Sequence, residues 1–574
     1  MTRVAVVGGG ISGLAAAHRL RTLLGPSAEI VVLEQRDRLG GVLRTVDLAG
    51  VPFDVGAEAF LARRPEMPAL LDELGLASAI VHPTAATATI RAGSRTVGLP
   101  RGTLMGVPGA GATLDEVLSS AGLAAVELEP SRPLHWDAGS DVALGALLRD
   151  RFGDEVADRI ADPLLGGVYA GRVDGLGVRA TVPALAAALD AGAPSVTAAA
   201  TAGMTTSGAP GGTLSAAPRG TEGPSGAAPR GTESSSGGTL AASRSSGSSE
   251  AASRATPAPG GHTGPSGGTL AAGPRPAPGS PVGQPAAGAH GSREAVRDGR
   301  GAGAPDREHA SGGAAPPPAA AGPVFGAVRG GYRVVLDALA AASAATVRTG
   351  TTVRSLERTP HGWRLVLGPV PAPETLDADA VVLAVPAPAV RRLLDGVVPA
   401  GSEAASGIEL ASSAVVALAF RGTDVAAPST SGCLIASDEP LSIKGLTHSS
   451  TKWTHLGDDG VVRLRMSAGR FGEAAALQID DDELVARARA DLRELDGIDA
   501  EPVDVHVRRW GGGLPQYAVG HLDRVAALES AVAGEAGLAV AGAALHGVGV
   551  PACVGTARAA AERVAAGLTA GRRA

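Results

Sequence analysis

Gly8, Gly10 and Gly13 stand in the spacing G-x-G-x-x-G, and Glu34 follows 21 residues after the last of them. Residues of these types at this spacing can hold a dinucleotide. The first glycine permits a tight turn, the second lets a diphosphate approach the backbone, and the third lets helix and strand pack closely. The N–H groups that open the helix, at the positive end of its dipole, face the phosphates. An acid at Glu34 accepts hydrogen bonds from a ribose and disfavours a 2′-phosphate. QRDRLGG (35–41) then sets a second glycine pair beside Arg36 and Arg38, and DVGAEAFLARRPE (54–66) adds another small-residue turn. A P-loop is excluded, because neither of the two lysines, Lys444 and Lys452, follows a glycine. The plain alternative is a glycine-rich turn with no ligand.

The elements that must position these groups read as a strand, the glycine turn, a helix and a second strand, EIVVLE (29–34). Further on, GYRVVLDALAAA reads as a helix, and TTVRSLER, GWRLVLG and AVVLAVP (380–386) as strands. Residues 413–420 and 461–467 also read as strands. The end reads as strand GLAVAGA (537–543), a glycine turn and an amphipathic helix, GTARAAAERVAAGL. Strands alternating with helices at both ends predict one α/β domain built from both ends of the chain. A second helix N-terminus aimed at the cofactor suits a flavin, since its dipole stabilises charge that builds near N1 and the C2 carbonyl on reduction.

Composition sets bounds on the rest. The formal net charge of −7 leaves no global basic field for nucleic acid or an anionic membrane. Cys433 and Cys553 make neither a disulfide framework nor a metal cluster, which fits a reducing compartment. No secretory leader and no run of about 18 apolar residues is seen, so a cytoplasmic protein without a spanning helix is expected, with peripheral membrane contact left open. Residues 191–322 are Gly, Ala, Pro, Ser and Thr with six Leu, Ile, Val or Phe residues in 132 positions. Such a segment cannot offset its ordering entropy, and imperfect repeats such as AAPRGTE (216–222 and 227–233) add to the low complexity. A disordered insertion is expected there.

VVGGGISGLAAAHRL, LEQRDRLGGVLRT, FDVGAEAFLARRPE, DPLLGGVYAGRVDGLGVRAT (162–181) and HGVGVPACV together resemble the FAD-dependent porphyrinogen oxidases, within the amine-oxidase-like flavoproteins. The first two motifs are common to many FAD oxidases; PLLGGVYAG with LGVRAT is more specific. The resemblance covers nearly all of the chain outside the insertion, which the family generally lacks. It implies a discontinuous Rossmann-like FAD-binding domain (1–85, 323–400, 526–574) and an α+β substrate domain (86–190 helical, 401–525 sheet). It also implies one non-covalent FAD per chain, a tetrapyrrole substrate, molecular oxygen as acceptor and hand-off to the next haem-pathway enzyme. Soluble members act on coproporphyrinogen III, which has four propionates, and this is the substrate expected here. Protoporphyrinogen IX is the alternative; more distant ones are an amine oxidase, a carotenoid desaturase or a non-enzymatic dinucleotide-binding protein.

The residues expected to hold FAD are Gly8, Gly10, Ile11, Ser12, Gly13, Glu34, Gln35, Arg36, Gly40, Gly41, Val42, Gly56, Ala57, Glu58, Val353, Gly542, Gly547, Val548, Gly549 and Val550. Tyr169 and the arginines Arg91, Arg95, Arg172 and Arg179 are candidates for the substrate, the arginines because a tetra-anion needs cationic partners. No catalytic side chain and no metal ligand is assigned. His546 is read as a packing or capping residue, Cys553 as an inert thiol, and 451–453 as a strand or loop. Two departures from the family pattern stand out: Ala552 where an acid often follows Pro551, and Leu545 around which an aromatic or extended residue is usual.

Overall fold

Val4, Ala5 and Val6 are fully buried at the centre of a five-stranded parallel sheet. The computed structural model describes residues 2–206 and 323–571. The strands run in the order Thr346–Arg348, Glu29–Leu33, Arg3–Val7, Ala380–Leu383, Leu538–Val540. Val4 pairs in parallel with both Ile30 and Ala380. One sheet is thus drawn from both ends and the middle of the chain, as the alternating pattern predicts.

The two-residue period of these strands sorts their side chains onto two faces. Val4, Val6, Ile30, Val32 and Val382 pack under the helices Ile11–Leu24, Tyr332–Ser343 and Val550–Gly571. Ala5, Val7, Val31, Leu33 and Leu383 face the other way, against an antiparallel sheet (Val353–Thr359, Gly362–Leu367, Glu374–Ala378) and the helices Ala387–Leu394, Pro399–Ser406 and His521–Ala533. Being apolar on both faces is what a parallel sheet covered by two layers requires.

A second, seven-stranded sheet carries the strands expected at 413–420 and 461–467. Its order is Asp504–Pro515, Leu410–Arg421, Val461–Ala468, Ile443–His448, Gly432–Ile435, Ala88–Ala92, Arg95–Gly98. The stretch 86–190 is therefore not helical throughout, because its first strands join this sheet. Residues 451–452 lie in a short helix, Ser449–Lys452, and not in a strand or loop. The terminal helix begins at Val550, earlier than the expected GTARAAA start.

The expected boundary at 191 is also corrected. Helix Val196–Thr206 is folded, with Val196, Ala199 and Ala200 fully buried. Its first turn is held from a distance: the carboxylate of buried Glu129 accepts from the N–H groups of Val196 (2.9 Å) and Thr197 (3.1 Å). The rest of the expected insertion, 207–322, lies outside the described residues.

Candidate functional site

Gly13 opens the first helix where a Cβ would stand 1.8 Å from the Gly8 carbonyl oxygen. Gly8 itself has φ +107, and a Cβ on it would meet the Ala384 carbonyl oxygen at 2.3 Å. Those two glycines are required by strand–helix packing. Gly10 differs: the nearest atom to a Cβ there is the Cα of Gly41, at 3.8 Å. The space beside Gly10 is left open by the protein, and a cofactor diphosphate fits it. The helix also has no side-chain cap on its first turn, leaving those N–H groups for phosphate.

Cations surround that approach. Arg36 and Arg38 donate to the Gly41 carbonyl oxygen, each at 3.0 Å. Burial, then Arg44, Arg508 and Arg36, push the Arg38 guanidinium down to about 10. The Nε atoms of Arg44 and Arg508 are buried without a partner. Guanidiniums that repel one another and carry orphaned donors are suited to an absent anion. Arg44 belongs to the GGVLRT motif and could have been read from it. Arg508 had no such signal, since it arrives on the strand Asp504–Pro515.

Glu34 is buried, and both its oxygens are already oriented: Oε2 accepts from Gly9 N–H (2.8 Å) and Oε1 from Arg36 N–H (2.9 Å). Each oxygen retains a lone pair for a ribose hydroxyl. Glu34→Gln is therefore expected to weaken FAD retention about tenfold, the scale of losing one charged hydrogen bond, with melting of the flavin-free protein little changed. Equal FAD retention in the two proteins, measured by flavin absorbance after dialysis, would contradict the ribose assignment. Gln35 is exposed at the turn after this strand. The Val353 side chain packs in the core with Val31 and Leu33, which leaves its backbone to face a cofactor.

A cavity of about 540 Å³ opens between the seven-stranded sheet, the glycine turns near the N-terminus and the start of the last helix. Ile11, Val42, Gly56, Ala57 and Glu58 line it from the N-terminal part, and Gly547, Val548, Gly549 and Val550 from the C-terminal part. The cavity thus gathers nine of the twenty expected flavin residues from the two ends of the chain, positions about 500 residues apart. Gly542, φ +132, has nothing within 4 Å of a Cβ. Ala552 and Leu545 also line the cavity, so the two departures from the family pattern fall at the site itself.

The seven-stranded sheet supplies Ser413, Val415, Lys444, Arg465, Ser467 and Trp510. Arg465 donates to the Gly56 carbonyl oxygen (2.7 Å). The carboxylate of Glu58 is occupied by the Trp453 indole N–H and by Lys452 at 3.5 Å, and these with Arg465 outweigh burial to hold it below its ordinary range. Lys444 is 6% exposed, and burial, then Arg470 and Arg465, push its ammonium down to about 7. Neither Lys444 nor Arg465 was assigned from sequence; only tertiary structure brings these strands over the glycine turns.

Of the substrate candidates, Tyr169 and Arg179 line the cavity. Burial pushes the Tyr169 phenol up to about 12, and its ring lies 5.3 Å from that of Tyr517. Arg179 is held at the rim by Asp190 (2.7 and 2.8 Å). The other three arginines are corrected. Arg91 is turned to Glu439 (3.3 Å) and Glu494 (2.8 Å), and Arg172 to Glu473 (2.7 Å). Arg95 donates to the Glu116 carbonyl oxygen. None of these three lines the cavity. His546 does line it and pairs with Glu529 (2.8 Å), which raises its pKa. Cys553 is buried and its thiol is pushed up to about 11 by desolvation, in line with an inert thiol.

The pattern of the flavin containing amine oxidoreductases matches residues 11–565. The coproporphyrinogen III oxidase of Mycobacterium tuberculosis H37Rv is 40% identical over 555 residues, covering 96% of this chain and 95% of its own. That of Mycobacterium leprae is 38% identical over 561 residues, covering 98% of each. Among solved structures, a candidate protoporphyrinogen oxidase from Exiguobacterium sp. 255-15 superposes with a TM-score of 0.69 at 23% identity, over 98% of this chain and 99% of its own. Among the described residues, no helix is long and apolar enough to cross a membrane.

Proposed function

The chain belongs to the flavin containing amine oxidoreductases, and from that membership we propose that it oxidises coproporphyrinogen III to coproporphyrin III. Six electrons leave the substrate in three rounds through one non-covalent FAD per chain, with molecular oxygen as acceptor and hydrogen peroxide as product. FAD, when bound, supplies a two-electron acceptor for hydride from a saturated bridge carbon.

The observation that carries this reading is the charge of the cavity. Four cationic side chains, Arg64, Arg179, Lys444 and Arg465, line an otherwise largely apolar space that has Glu58 as its acid. Arg64 and Arg179 are paired with Glu66 and Asp190, which leaves Lys444 and Arg465 as the cations without a carboxylate within ion-pair distance among the described residues. An apolar macrocycle with ionised propionates matches that lining. An amine substrate, itself cationic at neutral pH, meets repulsion there. The named activity of the mycobacterial relatives supports the same choice.

The side chains contribute positioning and exclusion of water more than proton transfer. Tyr517 donates to the Ala543 carbonyl oxygen (2.7 Å), and burial holds its phenol well above the ordinary range. His521 stacks on it at 3.8 Å and is pushed down to about 4 by burial, so it is neutral at pH 7. These rings fix a wall against which a macrocycle can be oriented for hydride loss. Two buried free cysteines fit a reducing cytoplasm.

Oxygen uptake and peroxide formation, followed together with porphyrin fluorescence, test the acceptor. One O2 consumed and one H2O2 formed per two electrons withdrawn is expected. Porphyrin formation that continues unchanged without oxygen, given another acceptor, and no peroxide in air would contradict it.

A further inference from the structure

Lys444 is set apart from the other cavity cations. Arg64 and Arg179 already hold carboxylates, Glu66 at 2.6 Å and Asp190 at 2.7 Å, and lie toward solvent with about a fifth of each side chain exposed. Arg465 donates to the Gly56 carbonyl oxygen while its Nε is buried without a partner, and the charges of Glu58 and Asp54 favour its protonated form against burial. The Lys444 ammonium has a single hydrogen-bond acceptor, the Gly469 carbonyl oxygen at 2.8 Å. Among the described residues it has no carboxylate within ion-pair distance. Arg465 and Arg470 are its cationic neighbours and Glu473 its acidic one, and Glu473 is taken by Arg172 at 2.7 Å.

A buried ammonium with one neutral partner is costly unless a ligand completes it. On the function proposed above, on which this step rests, the ligand carries carboxylates around its whole periphery. The two porphyrinogens differ in what they send inward. If two neighbouring propionates stay at the cationic rim, coproporphyrinogen III directs its other propionates to the cavity floor. Protoporphyrinogen IX directs vinyl groups there.

We propose that Lys444 is the inner propionate anchor, a specificity-determining residue whose ammonium pairs with a carboxylate on the cavity floor and rejects a vinyl group in its place. A vinyl group there leaves the ammonium buried and unpaired, so the same residue attracts one ligand and penalises the other. An arriving carboxylate also offsets the burial and the Arg470 and Arg465 charges that disfavour the protonated amine.

The test is equilibrium binding of the two oxidised products, coproporphyrin III and protoporphyrin IX, to flavin-loaded protein, read by porphyrin fluorescence. Wild type is expected to prefer the four-carboxylate porphyrin. Lys444→Met should weaken coproporphyrin III about tenfold or more, the scale of a charged hydrogen bond, and leave protoporphyrin IX unchanged or tighter. Lys444→Arg should retain most of the preference. If Lys444→Met purifies without flavin, Lys444→Gln carries the comparison. A variant that keeps the wild-type preference, or loses both porphyrins equally, overturns the anchor. A wild type with no preference for coproporphyrin III is a different result: it overturns the proposed substrate first, and the anchor with it.

Discussion

Gly10→Ala is expected to fold and to lose its flavin, whereas Gly13→Ala is expected not to fold. Both residues belong to one fingerprint, but the neighbours of an added methyl group differ. At Gly13 the methyl would stand 1.8 Å from the Gly8 carbonyl oxygen, a backbone atom that cannot move without separating the first strand from its helix. Such overpacking at the centre of a sheet fully buried at Val4, Ala5 and Val6 costs about 4 kcal/mol or more. At Gly10 the nearest atom is 3.8 Å away, so the free protein accommodates the change. The methyl instead occupies the approach to the cofactor diphosphate, and overpacking of about 1–3 kcal/mol lowers FAD affinity about ten- to a hundred-fold. Flavin absorbance and circular dichroism on the two purified proteins separate these outcomes. A yellow Gly10→Ala protein with wild-type affinity would contradict the placement of the diphosphate.

Glu129→Ala is expected to be the most damaging substitution outside the nucleotide site. Glu129 is fully buried and pairs with Arg151 at 2.9 Å, where Arg151 is itself only 4% exposed. Removing the acid leaves a buried guanidinium uncompensated, a loss of about 3–5 kcal/mol. It also frees the Val196 and Thr197 N–H groups that the carboxylate caps. Burial opposes the charged form, but the bonds from Thr197, Val196 and Arg151 outweigh it and depress the pKa. A depressed carboxyl contributes stability that is fully present above its unfolded pKa and is lost as pH falls through the folded one. Wild type should therefore lose stability from Glu129 only in acid, below the ordinary glutamate range. Thermal melting at pH 7 checks the substitution, and a change under about 1 kcal/mol would contradict the buried-pair account.

What could be read from the chain was what depends on neighbours in sequence. The turn Gly8–Gly13, the acid Glu34 and the terminal glycines announce their geometry locally, and the sheet's apolar strands announce a doubly covered layer. Arginine partners cannot be read this way. Arg91, Arg95 and Arg172 looked like anion ligands by type, but the fold turns them to Glu439 and Glu494, the Glu116 backbone and Glu473. Of the four cations that line the cavity, Arg64 and Arg179 lie in quoted motifs, whereas Lys444 and Arg465 sit on adjacent strands with no motif around them. Helix Val196–Thr206 was hidden for a related reason: its residues are small, and its cap comes from Glu129, 67 residues earlier in the chain.

The central claim is the substrate, and the most direct measurement is the initial rate of porphyrin fluorescence growth in air with purified, flavin-loaded protein. Coproporphyrinogen III and protoporphyrinogen IX are compared at equal concentrations, with the uncatalysed rate subtracted. A clear preference for coproporphyrinogen III is expected. A preference for protoporphyrinogen IX, or no rate with either from a yellow protein, would contradict it.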